Sequence, residues 1–176
     1  FSYSKDSDLD MRFDSSQKIK ASEILNHLSV NDLANVIFQY GEERRSRAIA
    51  KSIVKMRPLT TVFDLVESIR RSTPPNHRDR TLARVFQAIR IKVNGELEKL
   101  EKFLSSFTKR LVVGGRIAII SFHSLEDRRV KHSFKVLAKK GALSILTKKP
   151  MIATNEEMAE NRRSRSAKLR VAERSA

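Results

Sequence analysis

The chain has 176 residues, with 36 Lys and Arg against 20 Asp and Glu, a formal charge of +16, no Cys and no Trp. That length suits one domain, or one with a small insertion, and allows a real core. Without Cys there is no disulfide framework, thiolate zinc site or Cys nucleophile, which fits a reducing compartment. No apolar run approaches the roughly 20 residues of a membrane span and no signal-like segment is present, so a soluble protein with no membrane partner is expected.

Residues up to about 20 are polar and without period, and predict a loop. Ser29 with Asp32 three residues on is a capping pattern; Leu33, Val36, Ile37 and Tyr40 follow at helical spacing, with Gly41 where a left-handed C-terminal residue belongs. Glu42 to Met56 carries Ile49, Ile53 and Met56 on one face and stops before Pro58. Thr61 with Asp64 opens a further helix on Val62, Leu65, Val66 and Ile69. These three short helices predict a helical subdomain that ends at the loop 72–78, with Pro74 and Pro75.

The longest periodic run follows, from Leu82 through Val85, Phe86, Ile89, Val93, Leu97, Leu100, Leu104 and Phe107 to Leu111. Its spacings predict a helix of about 28 residues, with a bend or break at Gly95. After Gly114-Gly115 the period changes. Arg116 to Phe122 (RIAIISF) reads as a strand of the kind covered on both faces. Ser124 with Asp127 predicts a cap for a helix on Val130, Phe134 and Leu137 that ends at Gly141. Residues 142–147 and 166–173 are further strand candidates. This order is the closing half of an α/β sheet, and the chain's 5 Gly include no G-x-G turn of the kind that lets backbone approach a nucleotide or nucleoside cofactor.

The charge is concentrated. Residues 1–43 hold 4 basic and 8 acidic side chains, and the remaining 133 hold 32 basic and 12 acidic. Arg44, Arg45, Arg47, Lys51, Lys55 and Arg57 come without an anion, and Lys148, Lys149, Arg162, Arg163 and Arg165 cluster in a segment of loop composition. A field of this kind attracts polyphosphate backbones, so nucleic-acid contact is expected over merely solvated helix faces.

Residues 121–128 (SFHSLEDR) place the densest set of polar groups beside an apolar strand, at the edge where α/β folds bind ligands. A Ser/His/Asp hydrolase reading lacks both the G-x-S-x-G elbow and an oxyanion hole. From spacing alone, Ser124 and Asp127 capping a helix while His123 bonds locally is the simpler account. The four His show no H-x-x-x-H pattern, so no metal is expected. Phe86 and Phe103 resemble base-stacking groups but lie on or beside the apolar stripe, which predicts core.

Five segments together carry a family resemblance: Leu9 to Asp14 (LDMRFD), Tyr40 to Arg44 (YGEER), Val85 to Asn94 (VFQAIRIKVN), Gly114-Gly115-Arg116 running into Ile120 to Arg128 (ISFHSLEDR), and Arg163 to Arg170 (RSRSAKLR). In this order they resemble the MraW/RsmH family, the small-subunit ribosomal RNA cytosine-N4 methyltransferases of bacteria and organelles. The resemblance covers the whole chain but only the later part of the family protein. It implies the C-terminal half of a Rossmann-like methyltransferase sheet with a helical insertion: residues 1–20 as the loop after an absent fourth strand, 21–78 as the insertion, and 79–176 as the returning half.

The resemblance further implies methylation, with S-adenosylmethionine, of the exocyclic N4 of a cytosine in small-subunit rRNA, in the cytoplasm or, in a eukaryote, an organellar matrix. The family's Gly-Gly-His cofactor loop, its ribose-binding acid and its Asp-Leu-Gly strand end have no counterpart here. Cofactor binding is therefore expected to lie outside this chain, which alone should be inactive. Where the family has a Pro-Ala-Thr-Arg type stretch, this chain has Asp79 to Arg84 (DRTLAR). Position in the fold makes Asp10, Met11, Arg12, Ser121, His123 and Ser124 the candidates for lining the catalytic pocket. Arg44, Arg45, Arg47, Lys148, Lys149, Arg162, Arg163 and Arg165 are the candidates for gripping RNA. The alternative from another class is a non-catalytic descendant that only binds rRNA or the small subunit; the start at Phe1 rather than Met favours a partial enzyme sequence over it.

Overall fold

The computed structural model describes residues 3–175, which fall into two compact units, residues 1–96 and 97–176. Unit 1 is helical: α1 (Ala21–His27), α2 (Val30–Gly41), α3 (Ser46–Lys55), α4 (Val62–Arg71) and α5 (Arg78–Asn94). Each apolar stripe turns inward. Leu25, Leu33, Ile37, Ile49, Ile53, Leu65, Ile69, Leu82 and Ile89 are fully buried in one continuous core, and Phe86 joins them. Removing such side chains from water is what holds the helices together, at about 1.5–3 kcal/mol for each large side chain.

The caps follow local chemistry. Ser29 accepts from the Asp32 amide at 3.1 Å. Thr61 and Asp64 form a reciprocal capping box, with the Thr61 amide donating to the Asp64 carboxylate at 2.8 Å. The Thr61 and Thr60 amides hold the Asp64 carboxyl below the ordinary carboxylate range.

Gly41 is the last residue of α2 rather than its left-handed cap; that conformation belongs to Glu42, at φ 51°. Gly41 is fixed by close approach instead, since a Cβ there would lie 2.6 Å from the Arg84 carbonyl oxygen of α5. The expected 28-residue helix is two helices. Gly95 adopts φ 57° and caps α5, and α6 (Glu96–Leu104) starts afresh, because the left-handed conformation that glycine tolerates ends the helical hydrogen-bond ladder.

Unit 2 holds most of α6, then β1 (Arg116–Ser121), α7 (Ser124–Lys139), β2 (Leu143–Ile145), β3 (Met151–Ile152), α8 (Asn155–Glu160) and β4 (Lys168–Arg174). The fold class is the expected α/β, with strand pairing that is antiparallel throughout. β4 is central, with β1 along one side and β2 and β3 in succession along the other. Ile117 pairs with Ala172 and Ile119 with Arg170. Ile117, Ile119 and Ala172 pack with Val130 and Phe134 of α7.

β1 is not covered on both faces within this unit: alternate residues are exposed, Ile120 to 57%. Phe103, expected in the core, is half-exposed and stacks on Phe107 at 5.7 Å between ring centroids. No helix among the described residues is long and apolar enough to cross a membrane.

Candidate nucleic-acid interface and strand-end loop

In unit 1 the segment after Asp8 is drawn tight by a few polar groups. The Leu9 amide donates to the Thr60 carbonyl at 3.0 Å and the Ala21 amide to the Asp10 carbonyl at 2.7 Å. Leu9 and Met11 sink into the core, so the Met11 side chain lies among core residues rather than at the surface. Arg12 folds back on Asp10, Nε to Oδ1 at 2.6 Å and a terminal nitrogen to Oδ2 at 2.8 Å, and donates to the Ser15 and Gln17 carbonyls. The guanidinium of Arg12 is what holds the Asp10 carboxyl below its ordinary pKa.

Asn94, buried at the end of α5, fastens this loop. Its side-chain nitrogen donates to the Met11 carbonyl at 2.8 Å, and its oxygen accepts from the Phe13 amide at 2.8 Å. The LDMRFD segment and the end of the VFQAIRIKVN segment thus meet through one side chain.

The YGEER segment meets the same helix. Buried Glu43 accepts from the Arg45 amide at 3.0 Å and from the Thr81 hydroxyl at 3.2 Å, and lies 3.5 Å from Arg84. Gln87 donates to the Tyr40 carbonyl at 3.0 Å. Thr81 and Arg84 belong to the stretch that departs from the family pattern, and here they complete the surroundings of Glu43. The turn carries Arg44 and Arg45 and the first turn of α3 carries Arg47, all exposed.

In unit 2, β1 ends on Ser121, whose hydroxyl is buried and accepts or donates no hydrogen bond among the described residues. His123, not Ser124, caps α7: its Nδ1 accepts from the Glu126 amide at 3.3 Å, while the Glu126 carboxylate accepts from the Phe122 amide at 2.8 Å and the His123 amide at 3.4 Å. Asp127 is therefore released from capping. It takes Arg170 of β4 in a buried two-point pair at 2.7 and 3.1 Å, which holds its carboxyl below the ordinary value despite the opposing effect of burial. Ser124 is exposed at the first turn of the helix.

The remaining cations flank β4. Lys148 and Lys149 are exposed in the β2–β3 connection, which is tied to β4 where the Val171 amide donates to the Thr147 hydroxyl at 2.9 Å. Arg162, Arg163 and Arg165 are exposed on a 3₁₀ turn (Arg162–Ser166) that packs against β3, while Ser164 between them is buried and bonded to Asn161.

Asn94, Glu43, Glu126 and Arg170 lie inside the sequence motifs without a role read from them, and Asp127 reads there only as a helix cap. The signal was a polar residue interrupting an apolar stripe, as Asn94 does directly after Val93, because a buried polar group must be hydrogen-bonded.

Together these features define a basic α/β protein with a polar loop at the C-terminal end of a strand and arginine-rich turns on both units. The chain matches the MraW methylase family over residues 1–175, and it belongs to that family. Among its relatives, a protein of Trichormus variabilis called ribosomal RNA small subunit methyltransferase H is 53% identical over 179 residues, covering 100% of this chain and 58% of that protein. Proteins of the same name from Nostoc sp. and Thermosipho africanus are 52% and 49% identical, covering 58% and 60% of their own lengths. The chain thus spans somewhat over half the length of these curated relatives.

Proposed function

We propose that this chain is the later part of an S-adenosylmethionine-dependent methyltransferase that acts on the exocyclic N4 of a cytosine in small-subunit rRNA. The observation that carries the reading is the family match along residues 1–175, together with relatives named for rRNA methylation. Residues 21–78 would be its helical insertion and residues 79–176 its returning half.

The residues present do not fit S-adenosylmethionine by themselves. The Phe122 and His123 amides at the end of β1 are already taken by Glu126, and no Gly-rich turn follows the strand. We therefore assign no cofactor contact within these residues and derive no step through the cofactor.

What the chain supplies is placement. Cytosine N4 is a poor nucleophile because its lone pair is delocalised into the ring, so the amine must be held in line and relieved of a proton. Ser121, His123 and Ser124 are the groups we assign to the base: Glu126 fixes the loop that carries them, and the Ser121 hydroxyl has hydrogen-bonding capacity left over. Asp10, Met11 and Arg12 are the further groups we assign to lining the catalytic pocket, with the Met11 side chain in the unit 1 core. Arg44, Arg45, Arg47, Lys148, Lys149, Arg162, Arg163 and Arg165 are assigned to the RNA backbone, where exposed cations trade condensed counterions for phosphate. Bases in folded RNA must be splayed out to be reached, which requires that grip.

The test is methyl transfer by the protein as expressed from its natural gene, using small subunits from cells that lack the modification. The digested rRNA should yield one N4-methylcytidine, and Ser121→Ala should lower the yield. RNA binding without transfer would instead support the non-catalytic descendant.

A further inference from the structure

α7 carries a row of cations that the proposed function does not absorb and that, after Arg128 at the end of the ISFHSLEDR segment, lies outside the motifs. Arg128, Lys131, Lys135 and Lys139 are all exposed and fall at i, i+3, i+7 and i+11, one face of the helix, while Leu125, Val130 and Phe134 occupy the buried face. The row begins one turn after the His123 cap. Successive members stand roughly 5–6 Å apart along a total of about 16 Å of helix, a spacing suited to successive phosphates of one nucleic-acid strand.

The three lysines of the row keep their charge. The two acids of α7 are committed elsewhere, Glu126 to the Phe122 amide and Asp127 to Arg170. Among the described residues Lys131, Lys135 and Lys139 form no ion pair, and the adjacent Arg129 is paired with Glu101 at 2.6 Å. Unit 2 as a whole has 19 Lys and Arg against 8 Asp and Glu, so the row does not serve to balance a local acidic surface.

We propose that this face of α7 is a backbone track for the RNA substrate, leading away from the strand-end loop along the same rigid helix. The proposal rests on the RNA reading above and adds a surface to it. A second occupant is conceivable in chemical terms, an acidic amphipathic peptide, because a groove of about 820 Å³ beside the row is walled by Leu104, Val136 and Leu137. The regular cation spacing favours RNA, since a peptide anchored in that groove needs no ladder extending to Lys139.

The experiment compares Lys131→Gln/Lys135→Gln/Lys139→Gln with an equal-charge control, Lys99→Gln/Lys102→Gln/Lys109→Gln, in the protein as expressed from its natural gene. Affinity for a small-subunit rRNA fragment is measured across a salt series, with circular dichroism to confirm that both variants fold. The α7 variant should bind at least tenfold more weakly, and its log K against log salt should flatten by about 2–3, the sum of three phosphate contacts. The control should move far less.

An unchanged slope in the α7 variant, or equal losses in both variants, overturns the track. Unchanged RNA affinity with lost attachment to intact small subunits also overturns it and assigns the face to a protein. Failure of the unsubstituted protein to bind rRNA rejects the RNA reading itself, so the two failures are distinct.

Discussion

The two units spend their apolar residues differently. Among the described residues of unit 1, 22 buried residues from the loops and all five helices form one cluster, and two of the buried polar side chains, Asn94 and Glu43, are each bonded on more than one side. Among the described residues of unit 2 the buried cluster has six residues, while Val112, Val113, Ile120, Phe122, Met151 and Ile152 are each more than half exposed, against Phe13, Ile19 and Phe38 in the larger unit 1. β1 is paired along one edge, to β4. A helical unit closes its core with side chains alone, whereas a sheet needs a neighbour along every strand edge and a layer on both faces. The difference teaches that unit 1 draws its helices onto one larger core, whereas unit 2 depends more heavily on a few specific polar contacts.

The sharpest test of that dependence is the Asp127–Arg170 pair, which fastens α7 to the central strand. Replacing Arg170 by Leu leaves the buried Asp127 carboxylate without its two-point partner and with only Lys168 at 3.9 Å, and breaking buried pairs costs up to about 3–5 kcal/mol. Amide exchange in unit 2 should accelerate sharply while α2 and α5 of unit 1 keep their protection. The pair also sets a pH signature. Because the folded-state pKa of Asp127 is lowered, its contribution is fully present above the ordinary carboxylate value near 3.9 and is lost as pH falls through the folded value. The Arg170→Leu variant should therefore lose part of the acid-dependent destabilisation expected of the parent, by denaturant titration at pH 7 against pH 3.

Unit 1 offers the matched perturbation. Asn94→Ala removes the hydrogen bonds to the buried Met11 carbonyl and the part-buried Phe13 amide, and orphaning the carbonyl costs about 1–3 kcal/mol. Loosening should be confined to residues 9–17, read as faster exchange of the Leu9 and Phe13 amides with the helices unchanged. Gly41→Ala probes the helix contact instead. Its Cβ would meet the Arg84 carbonyl at 2.6 Å, and overpacking of this kind costs about 1–3 kcal/mol. A stabilised Gly41→Ala variant would show that α2 and α5 approach less closely than described.

Most of unit 1 was legible in the sequence because its signals are local. Ser29 and Thr61 announce helix starts, and 3- and 4-residue spacings announce the buried face. Gly41 was legible as special but for another reason than the one that applies, since a helix–helix approach depends on Arg84, distant in sequence. The strand-end loop shows the same limit. Ser124 with Asp127 and His123 with Glu126 are both spaced as capping boxes. The choice between them is made by Arg170, which takes Asp127 from across the sheet and leaves Glu126 for the cap. β1 reads as a strand covered on both faces because Ile117, Ile119 and Ile120 are all apolar; what covers a strand is decided by other elements. β3 and α8 were too short to leave a period.

The smallest expected effect bears most directly on the contrast between the units. Ile120 faces away from α7 and is 57% exposed, so Ile120→Thr removes little buried area and should change stability by less than about 0.5 kcal/mol, as exposed substitutions away from special features do. Its effect should lie in association. Ile120 sits on β1, which pairs along one edge only, beside the exposed Phe122, and apolar edges of this kind recruit further strands. Light scattering of the 176-residue chain should fall in the variant, while the equivalent change at exposed Phe38 on α2, Phe38→Thr, should leave it unchanged. Equal effects at the two positions would mean that scattered apolar exposure, rather than an open strand edge, governs association, and the contrast between a closed helical unit and an open sheet would lose its physical basis.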